Sequence, residues 1–366
     1  MAHDLYYDEV ARRHSIFVVR EPAWHKLGIV LDNAVNWQEA MKQALLGWEV
    51  EKSQLARYLP DTKHDDRAIQ PIDAYGIFRK DTGALLGTVG KDYKIIQNQY
   101  AFEFVDTLLE AENGAHYVTA GALGKGERIW CLAQIGGSIQ IAGTDDESIP
   151  YLLFQTSHDG SMSAICKITW VRVVCANTLS VALQGAGTYL KIKHTSHAED
   201  RMEAAKKLMT GATVQMKHIE DKLNELAHRR VNRQIITEVM KNVFGEYDKE
   251  HENNRLEKKM STIYDLFESN DENKIPEIRG TAYNLLNAFT EYVDHHAAFR
   301  RTEGRKGMED EAIRAENALF GHGDSLKGLA LAAIFDATEN AQRHDIQKGM
   351  VTLSDTDLER LPNNES

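Results

Sequence analysis

The period of the hydrophobic pattern changes once along this chain, and that change limits the possible fold more than any other feature. From Ala74 to about His194 apolar residues alternate with period two between tight-turn signals, the pattern of strands with two distinct faces. After His194 apolar positions recur every three or four residues, which builds amphipathic helices. Strands joined by hairpins, with few helices between them, pair antiparallel. The expected class is α+β, with a mainly antiparallel sheet core built from hairpins and a C-terminal helical region. The chain divides into four stretches: an N-terminal α/β layer and linker over 1–73, a β-rich core with one or two helices over 74–197, a helical region over 198–355, and a disordered tail over 356–366.

Local signals fill in this frame. Ile16–Val19 reads as a strand, Asn36 as the N-cap of a helix over Trp37–Leu46, and Trp48–Glu51 as a strand. Residues 60–73 hold charge, two prolines and little apolar content, and read as a loop or linker. Tyr75–Arg79 and Leu85–Val89 flank Asp81-Thr82-Gly83, a hairpin signal because glycine accepts the positive φ of a tight turn. Tyr93–Ile96 reads as a third strand, and Asn98 as the cap of a helix through Leu109. A second hairpin joins Tyr117–Ala120 to Ile129–Gln134, and Tyr151–Gln155 and Ser163–Cys175 flank a turn at His158-Asp159-Gly160. A short helix is expected after Asn177. In the helical half Met202, Ala205, Met209, Ala212, Met216, Ile219, Leu223 and Leu226 form a seam of period 3.5. It fits either a helical hairpin within the chain or a contact between subunits. Further helices are expected around 235–244, 258–268, 281–299 and 325–341.

Composition narrows the classes. No apolar run approaches the roughly 18 residues of a membrane span, and Met1–Glu9 is acidic where a signal peptide is basic and then apolar. A cytoplasmic protein without a membrane partner is expected. Three cysteines, Cys131, Cys166 and Cys175, lie among apolar neighbours in strand-like stretches with no Cys-x-x-Cys, so they read as buried reduced thiols. The net charge of −12 counts against a sequence-blind DNA coat, which needs a basic surface. A local basic groove still works in an acidic chain, because physiological salt screens charges beyond about 8 Å.

Most catalytic signatures fail on spacing. There is no Gly-x-x-x-x-Gly-Lys-Ser/Thr phosphate loop, and Gly121–Gly126 and Gly321-His322-Gly323 read as turns. Ser157-His158-Asp159 sits in one turn, where adjacent side chains point apart, whereas triad members converge from separate elements. His194 and His197 with Asp200 lack a metal-binding helix motif. Asp294-His295-His296 lies in an amphipathic helix and reads as a solvated face. No cofactor and no metal are expected. The remaining chemistry is nucleic-acid contact. Lys167-Ile168-Thr169-Trp170-Val171-Arg172 alternates so that Lys167, Thr169 and Val171 face one way and Ile168, Trp170 and Arg172 the other. Cations with an aromatic on a strand track phosphates and stack bases. Lys191 and Lys193 add charge on the next strand, and Arg79, Lys80, Lys91 and Lys94 gather around the first hairpin. The candidate nucleic-acid residues are Lys167, Trp170, Arg172, Lys191, Lys193, Arg79 and Lys91. An ordinary sheet with solvated lysines and a core tryptophan explains the same letters.

Several segments taken together resemble one family. They are Pro22–Gly28 (Pro-Ala-Trp-His-Lys-Leu-Gly), Val89-Gly90-Lys91-Asp92-Tyr93 with Gln97-Asn98, Ser157-His158-Asp159-Gly160-Ser161, Thr169–Thr178, Thr290–His295 and Leu319-Phe320-Gly321. In this order, over about residues 15 to 335, they resemble the phage/plasmid-like family catalogued as a domain of unknown function, number 932. The resemblance implies a mobile-element origin and transfers no catalytic roles. By topology, residues 75–110 are similar to the core of phage single-strand annealing proteins, which form rings and hold DNA in a basic groove. Three functions stay open: a DNA-binding or annealing module that forms homo-oligomers on single-stranded DNA, a factor that binds host or phage proteins through the helical half, and a metal-dependent enzyme acting on nucleic acid.

Overall fold

A computed structural model describes residues 5–20, 28–60, 67–110, 116–136, 138–141, 143–144, 147–172, 178–180, 189–195, 200, 202, 212–245, 254–269, 276–297, 322–339 and 351–352. The fold is α+β with mostly antiparallel strands, and its helices concentrate in the C-terminal half. The N-terminal layer holds β1 (Tyr7–Asp8), β2 (Arg13–His14), β3 (Ile16–Val19), β4 (Ile29–Leu31) and α1 (Trp37–Gln43). Asn36 caps α1 by accepting from the Glu39 amide, which satisfies one of the free N–H groups of the first turn.

The main sheet adds β8 (His116–Leu123), β9 (Arg128–Gln134), β10 (Ile139–Gln140), β11 (Glu147–Ser157), β12 (Ala164–Arg172), β13 (Thr178–Ser180), β14 (Tyr189–Ile192) and β15 (Val351–Thr352). Its order is β15-β14-β12-β11-β9-β8-β3-β4, with β10 beside β11 and β13 beside β12. The hairpins read from the sequence are present: β8 with β9, and β11 with β12 in the register Phe154↔Cys166. Cross-strand partners share a face, so Phe154, Cys166, Ile168 and Trp170 look one way and Leu153, Lys167 and Thr169 the other. All seven are buried. Phe104 of α2 (Asn98–Glu110) lies 5.9 Å from Phe154 on the first face. On the second face Lys167 meets Asp324 of α7 (His322–Glu339). Helices therefore cover both sides of the central strands.

The sequence reading differs from the structure at three places before the helical half. A helix expected after Asn177 is instead the strand β13, paired with β12. Tyr93–Ile96 is not a strand; it is an irregular segment fixed by side chains. Pro60 and residues 67–73 are strand and not linker, and 61–66 lie outside the described residues. β5 (Val50–Pro60) and β6 (Arg67–Arg79) form one long antiparallel ribbon, with β7 (Leu85–Val89) on the other edge of β6. The β6–β7 turn carries Gly83 at φ +68 as expected.

The helical half contains α3 (Ala212–His228), α4 (Arg233–Phe244), α5 (Asn254–Glu268), α6 (Ala282–Glu291) and α7. Helix α6 is buried from Ala282 to Thr290 and runs into a π-turn, Tyr292–His296. Ile219, Leu223 and Leu226 of α3 are buried within the chain, and α3 lies against α6. These three positions of the period-3.5 seam thus make an intrachain contact; Ala205 and Met209, and the side chains of Ala212 and Met216, lie outside the described ones. Cys131 and Cys166 are buried free thiols, whose pKa burial pushes up, and Cys175 lies outside the described residues.

Candidate nucleic-acid interface

The site begins with the segment between β7 and α2. Gly90–Tyr93 makes a turn closed by the Tyr93 amide on the Gly90 carbonyl. From Tyr93 to Asn98 the backbone is held by side chains in place of a strand ladder. The Gln97 amide group donates to the Val50 carbonyl and accepts from the Val50 N–H, at 2.8 and 3.1 Å. It mimics a strand neighbour and occupies the edge of β5. Asn98 donates to the carbonyls of Leu46 and Trp48 and accepts from His158 Nε2 at 2.8 Å.

Two neutral histidines support this segment from below. The Asn98 contact fixes the His158 proton on Nε2 and leaves Nδ1 as a buried lone pair with no hydrogen-bond partner among the described residues. Burial, with His194 nearby, pushes the His158 pKa down to about 3. His194 takes the opposite tautomer: Nδ1 donates to the Lys94 carbonyl and Nε2 accepts from Thr156 Oγ1, both at 3.0 Å. Burial lowers its pKa as well. Tyr93 stacks on the His194 ring at 4.8 Å and donates its hydroxyl to the Ser157 carbonyl. Gly160, at φ +76, lies where a Cβ would sit 3.0 Å from Val89, so the Ser157–Ser161 turn closes directly on β7. Ser157, His158 and Asp159 point to separate partners, Met162, Asn98 and Ser161.

On this support lysines gather at the surface. The Lys94 amide donates to the His194 carbonyl at 3.1 Å, which sets Lys94 beside Lys193. Lys52 on β5 donates to the carbonyls of Lys91 and Tyr93 at 2.6 and 2.9 Å and lies over the Tyr75 ring. Lys91, Lys94 and Lys193 are exposed, and Lys52 is half-buried. Lys191, on the same face of its strand as Lys193, is half-buried. Three separate segments thus bring the Lys52 ammonium and the main chains of Lys91, Lys94 and His194, next to Lys193, together near Tyr93 and Tyr75; these four lysines are called the rim.

Other residues expected in this role are elsewhere. Lys167 is 2% exposed and pairs with Asp324 at 2.8 Å; burial lowers its pKa against the pull of Asp324. Trp170 is 1% exposed and belongs to the core. Arg79 is 1% exposed, with a bidentate pair to Asp81, a bond to the Lys125 carbonyl, and its guanidinium between the Tyr6 and Trp48 rings. Strand alternation assigns the faces of β12 correctly; what it lacks is the helices that cover both. The main chain of Arg172 ends β12 opposite Ser148, and its side chain lies outside the described ones. Asp294 also departs from its reading as a solvated residue: its side chain is 7% exposed and bonds Lys327 at 2.7 Å. Lys52 escapes the sequence reading, which ends this strand at Glu51.

A cleft of about 810 Å³ opens beside Asn98 and Trp48. Its lining has four carboxylates, Asp8, Glu49, Asp81 and Glu103, against one ammonium, Lys42. That charge repels phosphate, so the cleft is not part of the lysine surface. Among the described residues no group of His, Cys, Asp and Glu is arranged to hold a metal ion, and no helix is long and apolar enough to cross a membrane.

The sequence segments sort into these contacts. Val89–Tyr93, Gln97-Asn98 and Ser157–Ser161 meet at the lysine support. Thr169–Arg172 and Thr290–His295 belong to the sheet and helices around the Lys167–Asp324 and Lys327–Asp294 pairs. Pro22–Leu27 and Leu319–Gly321 lie outside the described residues. No curated protein and no solved structure matches the chain. A family model described as Domain of unknown function (DUF932) matches residues 85–319, a span that includes Lys91, Lys94, Lys193, Lys167 and Asp294 but not Lys52, Asp324 or Lys327, and the chain belongs to that family.

Proposed function

We propose that this chain is a non-enzymatic module of a mobile element that binds single-stranded DNA, working as an oligomer in the cytoplasm to hold or anneal strands. The observation that carries the reading is the rim of Lys52, Lys91, Lys94 and Lys193, drawn from β5, the β7–α2 segment and the end of β14. Cations fixed around aromatic rings suit a flexible strand, whose phosphates and bases are both accessible. The order of hairpin, third strand and helix expected over residues 75–110 is not formed, because Tyr93–Ile96 is no strand; the lysines and not the topology support the function. Fluorescence anisotropy with a labelled single-stranded oligonucleotide at two salt concentrations tests it. Binding that weakens steeply with salt is expected. Absence of binding at low salt, where phosphate contacts are strongest, would remove the reading.

A second reading, a protein-interaction factor, has one observation in its favour. The acidic cleft carries Trp37, Trp48 and Tyr100 among its lining residues, a combination suited to a basic, apolar peptide. It predicts capture of a specific protein partner without nucleic-acid affinity.

A further inference from the structure

Beyond Gln54 the β5–β6 ribbon leaves the body of the protein. Ala56, Arg57 and Tyr58 on β5 and Ile69 to Asp73 on β6 are all exposed. The register places Tyr58 opposite Ile69 and Ala56 opposite Pro71. Between the pairs Gln54↔Tyr75 and Ala56↔Pro71, Leu55 stands against Ile72–Ala74. That bulge adds two residues to β6, so it bends the ribbon without exchanging its faces. One face therefore runs from Lys52 and Tyr75 at the base to Ala56, Tyr58, Pro71 and Ile69 further out. Tyr58 is 56% and Ile69 71% exposed, so an apolar strip stands in water. A two-stranded ribbon in isolation is marginal, and an apolar face on it calls for an occupant.

We propose that this strip stacks the bases of the single strand whose phosphates lie on the lysine rim, a role that rests on the nucleic-acid reading above. Two observations select this occupant over a protein. The strip is continuous with the rim through Lys52, which lies over Tyr75 and bonds the Lys91 and Tyr93 carbonyls. Its outward part presents an aromatic ring and an aliphatic side chain directly opposite each other, with Lys52 at the base and Asp73 at the bulge between. A strand crossing from rim to ribbon thus meets charge where its phosphates lie and flat apolar surface where its bases turn out.

The test compares the full chain with Tyr58→Ala and Ile69→Ser in anisotropy titrations against an oligothymidylate and an abasic strand of equal length. Circular dichroism checks the fold, and both side chains are exposed enough for the body to tolerate the change. The expected result is affinity for oligothymidylate about 10-fold weaker in Tyr58→Ala, an unchanged salt slope, and little difference on the abasic strand. Lys91→Ala, in contrast, lowers the salt slope on both strands. Equal affinity of wild type and ribbon variants overturns the stacking role while leaving the lysine surface standing. Absence of binding by wild type overturns both. Unchanged binding with lost self-association in sedimentation would assign the strip to a second copy of the chain and overturn its role with bases.

Discussion

Burying the Arg79 guanidinium demands full compensation of its charge. Asp81 supplies a bidentate partner, Lys125 a carbonyl, and Tyr6 and Trp48 two ring faces at 4.3 and 4.2 Å. Lysine has neither the planar fork nor the stacking surface. Arg79→Lys is therefore expected to destabilise the fold by about 2 kcal/mol or more, measured by urea unfolding; an unchanged midpoint would mean that the rings contribute nothing. His158 gives a pH dependence of definite sign. Its folded pKa of about 3 lies below the ordinary 6.5, so the unfolded chain binds the proton more readily. The stability it confers is full above pH 6.5 and falls as pH drops toward 3, by about 1.4 kcal/mol per pH unit inside that window. His194, also shifted down, adds to the same trend. Thermal melts between pH 4 and 8 should show Tm falling on the acid side, with a flatter profile in His158→Gln. Equal slopes in the two proteins would contradict the buried neutral imidazole.

At the scale of elements, the Lys167–Asp324 pair joins β12 to α7, and the Lys327–Asp294 pair joins α7 to the π-turn. Removing Lys167 takes from Asp324 the ammonium it is bonded to. Lys167→Met alone should cost about 3–5 kcal/mol, and Lys167→Met with Asp324→Leu should recover much of it; additive losses in urea titrations would show that the two groups do not act as a pair. These contacts also explain what was legible in the sequence. Alternation fixed β11 and β12, Gly83 marked the β6–β7 turn, and Asn36 marked the start of α1, because each depends on neighbours in the chain. The ribbon was hidden for the opposite reason. With both faces exposed beyond Gln54, nothing forces polar and apolar residues to alternate cleanly, and Pro60 and Pro71 imitate a linker. Tyr93–Ile96 has strand-like letters, but Gln97 already occupies the β5 edge. Of the candidate cations, Lys91 and Lys193 are exposed, whereas Lys167 and Arg79 have partners that no local pattern reveals.

Over the whole molecule the net charge is −12, yet the lysine rim and the acidic cleft are separate surfaces. Screening confines each to its own neighbourhood at physiological salt, where fields fade over about 8 Å. Affinity for a single strand must then depend on the few lysines of the rim and show little response to changes at distant acids. The most direct measurement is the salt dependence of single-strand binding by wild type and by the Lys91→Ala, Lys94→Ala, Lys193→Ala triple variant. Each lost phosphate contact lowers the slope of log affinity against log salt by about 0.7 for a single strand. If the lysine rim holds the strand, the slope in the variant is shallower by about 2 and its binding at low salt is weaker. Identical slopes and affinities would contradict it and place any nucleic-acid contact elsewhere on the chain.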